Sequence, residues 1–156
     1  METNLNFKFN LPDNNAQIYP RNLLENELKR KISENILFIT MDVDLNHSNI
    51  IGIVKDSSIL KDGTVKIEYD LFPQFKDLGK LGLLLTVNGI GDRVKDGKFY
   101  RITELTINNL FFPPALKGYI FCEKCKNDFS LCSNFNEEEC ERKKLIQQNY
   151  TRIIYS

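Results

Sequence analysis

The sequence predicts an α+β protein: a helix-covered antiparallel sheet over residues 1–72, a small β-barrel over 73–117 and a cysteine-bearing tail over 118–156. Three observations carry that expectation. Residues 36–72, ILFITMDVDLNHSNIIGIVKDSSILKDGTVKIEYDLF, contain runs in which apolar and polar side chains alternate with period two, as in half-buried strands. Leu24, Leu28 and Ile32, with Leu23 beside them, recur at helical spacing and draw one apolar stripe. Asp62-Gly63, Asn88-Gly89 and Asp96-Gly97 are dipeptides that suit a two-residue hairpin, where the turn positions need positive φ.

The chain opens with Leu5, Phe7, Phe9 and Leu11 alternating with Asn6, Lys8 and Asn10, the pattern of a first strand, and Pro12-Asp13-Asn14-Asn15 supplies turn chemistry to end it. The helix follows Pro20 and runs over 22–34, with Glu25–Lys29 and Glu27–Lys31 as i,i+4 pairs in the favourable order. Three strands come next, over 36–45, 50–55 and 65–71, the last alternating Val65, Ile67, Tyr69 and Leu71 against Lys66, Glu68 and Asp70. The Pro and Gly of PQFKDLGK mark a boundary. Runs at 81–87 and 90–94 flank Asn88-Gly89, and Asp96-Gly97 leads into a strand over 99–107, which together suggest a meander or small barrel. In the tail, three glutamates precede Arg142, Lys143 and Lys144, the order a helix dipole favours over 136–150, and residues 150–155 close as a final strand.

Twenty-one basic and twenty-one acidic residues cancel, so no overall positive charge drives the chain onto nucleic acid. No apolar run approaches the roughly 18 residues that span a bilayer, and METNLNFKFN is too polar for an export signal. An intracellular, cytoplasmic location is therefore expected, with no membrane partner. In that reducing setting four cysteines are not expected as disulfides.

Cys122-x2-Cys125 is a knuckle that supplies two thiolates from one turn. With Cys132 and Cys140 it completes a four-sulfur set for one zinc ion, although the spacings depart from the common ribbons and free thiols are the alternative. His47, the single histidine, lies near Asp42 and Asp44, but the plainer reading is a polar strand end running into a turn, and no catalytic residue is assigned. Ser48, Ser57 and Ser58 have no nucleophile elbow nearby. Gly79-x2-Gly82 and Gly89-x-Gly91 do not join a strand to a helix as phosphate cradles do. Basic side chains mixed with aromatics in the barrel region suit stacking on single-stranded RNA, and Lys98, Phe99 and Arg101 are the contact candidates; a solvated surface suits them equally.

The segments FKFNL, PRNLLENELKRKI, ITMDVDL with IIGIVKDSSI, and VKIEY follow one another in an order that resembles the stalk subunit of multisubunit RNA polymerases, in the reduced form of large cytoplasmic DNA viruses such as poxviruses. That resemblance implies a tip domain docking on RNA polymerase core subunits and an OB-type barrel near emerging RNA. It implies a non-catalytic role in transcription, in the cytoplasm or packaged in a virion. The family's Lys-Pro-x-x-Gly-Glu entry into the barrel is missing, and the cysteine tail has no counterpart. LNHSNIIG and ITELTINNLFFPPA resemble instead the capsid-maturation proteases of tailed phages, which implies His47 as the base. That family needs a serine in the strand after its histidine, and residues 81–87 offer Thr86, so the implied protein is a divergent or inactive relative. A zinc-binding virion or regulatory protein is the third reading.

Overall fold

A computed structural model describes residues 1–112 apart from 6, 8, 14, 42 and 80–83, together with 121–122, 127–128 and 152–155. Among the described residues, ten strands, β1 (Glu2–Asn4), β2 (Gln17–Ile18), β3 (Phe38–Thr40), β4 (Ile50–Ile59), β5 (Val65–Leu71), β6 (Thr86–Asp96), β7 (Phe99–Phe111), β8 (Phe121–Cys122), β9 (Asn127–Asp128) and β10 (Arg152–Tyr155), accompany the helix α1 (Arg21–Ser33). A 3-10 turn, Pro73–Phe75, runs into the short helix α2 (Lys76–Gly79) where the sequence places its boundary. The fold is α+β, as expected.

The main sheet has the order β1-β5-β4-β3-β7-β6-β10, with β2 added along β7. It is mixed rather than antiparallel, because β3 and β2 run parallel to β7 and β10 runs parallel to β6. Residues on either side of 72 therefore share one sheet, and Leu85, Val87, Ile107 and Leu110 join the same core as Leu24, Leu37, Ile51 and Ile67. The sheet curls until Leu5, just past β1, bridges Leu85, just before β6. The barrel-like closure thus involves strands from both halves of the sequence.

The local chemistry explains most elements. α1 buries Leu24 and Leu28 against β7 and β4, with Ile32 partly covered. It stops where Asn35 takes φ 56° and Ile36 N–H reaches back to the Lys31 carbonyl, a left-handed helix ending. Glu25 pairs with Lys29 at 3.1 Å as predicted, but Glu27 is buried and bonds Arg30 rather than Lys31. β5 alternates buried and exposed residues along its whole length. Hairpins form at both Asp-Gly dipeptides, but only the glycines take positive φ (Gly63 94°, Gly97 66°), and the first turn spans residues 60–64 rather than two residues.

Three expectations are corrected. Asn88-Gly89 is not a turn: β6 runs through it, with a bulge opposite β7 at that point. The strand expected over 36–45 stops at Thr40, and residues 43–49 form a loop. The strand expected from Leu5 to Leu11 is replaced by β1 at Glu2–Asn4, because Phe7 and Phe9 cover the core from irregular backbone while Leu11 is exposed. Asp13 does make the expected turn, its carboxylate accepting from Asn15 and Gln17 N–H at 2.9 Å. The tail helix expected over 136–150 lies outside the described residues.

Candidate functional site

On the outer face of the sheet, where β3, β6 and β7 meet, the side chains are polar and buried. Pairing sets Asn88 opposite Asn109 and Thr86 opposite Phe111, with Thr40 beside Phe111 on the other flank. Strand alternation sends the neighbours Val87, Leu110 and Ile39 to the apolar core and leaves these residues facing away from it. Asn88 Nδ2 donates to Asn109 Oδ1 at 2.8 Å. Asn109 Nδ2 donates in turn to Thr40 Oγ1 at 2.8 Å and to the Val43 carbonyl at 3.0 Å. Thr86 Oγ1 donates to the Phe111 carbonyl at 3.4 Å. Both threonines and Asn109 are fully buried.

The loop that follows β3 meets this network at Val43 and carries His47. It is tied down at Val43 by the Asn109 bond, and at Asp44 by Arg152 of β10, 2.7 Å away. Internally, Asn49 Nδ2 donates to the Asp44 carbonyl at 2.6 Å and Asn46 N–H to Asn49 Oδ1 at 3.1 Å. His47 is exposed at the crest of that turn. Asp44 is exposed and pairs with Arg152, and Asp42 lies outside the described residues, so the carboxylate face imagined beside His47 does not form on a strand.

The RNA-contact candidates sit at the far end of the same hairpin. Lys98 is in the β6–β7 turn, Phe99 is partly exposed, and Arg101 lies 3.7 Å from Asp96, which offsets its charge. Of the zinc candidates, Cys122 lies on β8, which pairs with β9; Cys125, Cys132 and Cys140 lie outside the described residues. No group of three or more His, Cys, Asp or Glu residues that could hold a metal occurs among the described residues. Within them, no helix is long and apolar enough to cross a membrane.

No protein-family model matches the chain, and no curated protein sequence matches it. Among solved structures it is similar to the capsid assembly protease of bacteriophage T4, with a TM-score of 0.54 over 71% of this chain and 79% of that one, at 14% identity. The likeness is one of fold. It rests on the backbone, since identity at that level says nothing of which side chains are shared.

The sequence missed the asparagines because Asn88 reads as half of an Asn-Gly turn and Asn109 as a polar residue near a strand end. A signal was present: both adjoin apolar runs, Leu83-Leu84-Leu85-Thr86-Val87 before Asn88 and Leu110-Phe111-Phe112 after Asn109, where a polar side chain must find partners or be costly to bury.

Proposed function

We propose that the chain is a non-proteolytic protein on the fold of a capsid assembly protease, serving as a structural or docking component in the building of a viral shell. One observation carries the reading: the polar groups under the His47 loop are engaged in a buried structural network rather than held ready for attack. A serine-type protease needs a reachable hydroxyl with a base within hydrogen-bonding distance. Thr86, the hydroxyl that the sequence offers in the strand after His47, is fully buried and directed at the Phe111 carbonyl. Asn88 and Asn109 carry neutral amides that neither attack a carbonyl nor take up a proton at neutral pH.

The purified chain should show no labelling by a fluorophosphonate probe and no cleavage of a denatured protein substrate. Hydrolysis that disappears in His47→Ala would overturn the proposal. Capture of the tagged chain from its native setting separates the remaining readings: shell proteins support this one, whereas large polymerase subunits would return the chain to the stalk subunit that its element order resembles.

A further inference from the structure

Asn88-Gly89 is the single Asn-Gly step in the sequence, and it lies inside β6 rather than in a turn. That dipeptide carries its own reaction. With no side chain on the glycine, its main-chain nitrogen can reach the asparagine Cγ. An N–Cγ bond forms, the Cγ–Nδ2 bond breaks, and ammonia leaves with the proton of the glycine N–H. Water then opens the succinimide ring at either carbonyl, giving aspartate or isoaspartate in place of asparagine. Water is the only co-reactant, so the rate is set by how freely the backbone and the carboxamide turn toward each other.

The folded chain withholds that freedom. Asn88 is 5% exposed, and its Nδ2, the leaving group, is held by Asn109 Oδ1 at 2.8 Å. The step is paired on both flanks: Asn88 with Asn109 of β7 and Arg152 of β10, Gly89 with Ile107 and Ile153. Closing the ring would break pairing on each side. The extra residue of the bulge at this point is Asn108, on β7, so the β6 backbone stays extended.

Neither product fits the same place. Isoaspartate routes the main chain through Cβ and adds a backbone atom where Gly89 has no room, since a Cβ there would already lie 2.3 Å from the Thr106 carbonyl oxygen. Aspartate at 88 sets a carboxylate against Asn109 Oδ1, two buried acceptors face to face. Turning the Asn109 amide to donate would put its oxygen against the Val43 carbonyl instead. Asp62-Gly63 and Asp96-Gly97 can close the same ring with loss of water, more slowly because an ionised carboxylate resists attack. Both aspartates are exposed, and Gly97 stands in open space.

We propose that Asn88-Gly89 is a self-modification site gated by folding: a chain that has not completed the β7–β6–β10 pairing deamidates there, and the product cannot rebuild that pairing. The reaction then removes unfolded chains from the folding pool in one direction, and it stands whether or not the chain belongs to a shell.

Peptide mapping by mass spectrometry, with isoaspartate quantified enzymatically, tests it on the full chain at mildly alkaline pH. Conversion at 88 in the folded chain should be at least about tenfold slower than in the free peptide Thr86–Asp92 or in the same chain held in urea, a ratio that measures how seldom the sheet opens. In the folded chain Asp96-Gly97 should convert before 88, the reverse of the order in urea. Chain held in urea until part of it has converted, then diluted and separated into folded and unfolded fractions, should carry the change at 88 only in the unfolded fraction, while changes at 62 and 96 occur in both. Equal rates in the folded chain and the peptide overturn the gate. Converted 88 spread evenly over both fractions overturns the block to refolding.

Discussion

Asn109→Ala should remove the centre of the buried polar network. The asparagine makes three hydrogen bonds, one accepted from Asn88 and two donated, to Thr40 and to Val43. The three partners do not lose equally. Asn88 is 5% exposed, so its amide is left without the Asn109 acceptor in a place water hardly reaches, at a cost of about 1–3 kcal/mol. Thr40 keeps the Leu110 carbonyl at 3.5 Å, and the bond to Val43 is only part-buried, so each of these adds less. With the small void that the lost carboxamide leaves, the total should be about 2–4 kcal/mol. Denaturant unfolding followed by tryptophan-independent signals such as far-ultraviolet circular dichroism measures it, since the chain has no tryptophan.

Asn109→Asp sharpens the test. It keeps the shape and an acceptor for Asn88 but buries a carboxylate facing the Val43 carbonyl. Burial disfavours the charged form, so the folded state should hold the proton more tightly than the unfolded chain, whose aspartate titrates near 3.9. Stability relative to wild type should then be recovered as pH falls toward that value and lost as pH rises through the folded-state pKa. An alanine variant within about 0.5 kcal/mol of wild type, or an aspartate variant with no added pH dependence, would refute the view that these side chains form a buried, matched network.

Leu28, on the inner face of α1, is fully buried, so Leu28→Ala should cost about 2–5 kcal/mol in unfolding free energy, and an unchanged denaturant midpoint would take the helix off the core. Burial raises the phenols of Tyr19, Tyr69 and Tyr155 above the usual value near 10; for Tyr19 the bond to Tyr155 adds to the effect, and for Tyr155 Asp13 adds while Tyr19 and Arg93 oppose. Their folded pKa values being raised, the stability they confer is present below about pH 10 and declines as pH rises further. Ultraviolet titration should find these three phenols ionising late, and a single transition of all six tyrosines near 10 would exclude it. The cysteine spacing predicts one zinc ion per chain; elemental analysis of protein purified without added metal checks it, and four freely titrating thiols with substoichiometric zinc would refute it.

What the sequence revealed follows from how local each signal is. α1, β5 and the two Asp-Gly hairpins depend on contacts within a few residues, and each appears where periodicity or turn chemistry places it. The parallel pairings of β3 and β2 with β7, and of β10 with β6, depend on partners far apart in the chain. Nothing in a strand's own residues names such a partner. Alternation also overran its strand at 41–45: Met41 and Val43 keep the apolar positions of a strand, but the loop turns away once Asn49 carbonyl accepts the Met41 N–H and Val43 is held by Asn109. The glycines at 89 and 91 illustrate the same limit, because a side chain there would meet the Thr106 and Glu104 carbonyls of β7 first and Ile153, more than sixty positions later, next.

The polar cluster and the His47 loop place two physical demands on one spot. A hydroxyl that attacks must be open to substrate and beside a base, whereas a buried amide must be shielded and have its donors and acceptors matched. A site that satisfies the second demand fails the first, and the Asn88–Asn109–Thr40 network satisfies the second, with Asn109 also tied to the loop at Val43. The loop is held from the other side by Arg152 of β10. A protease would need the same loop to lift away from Asn109 and Arg152, breaking both ties.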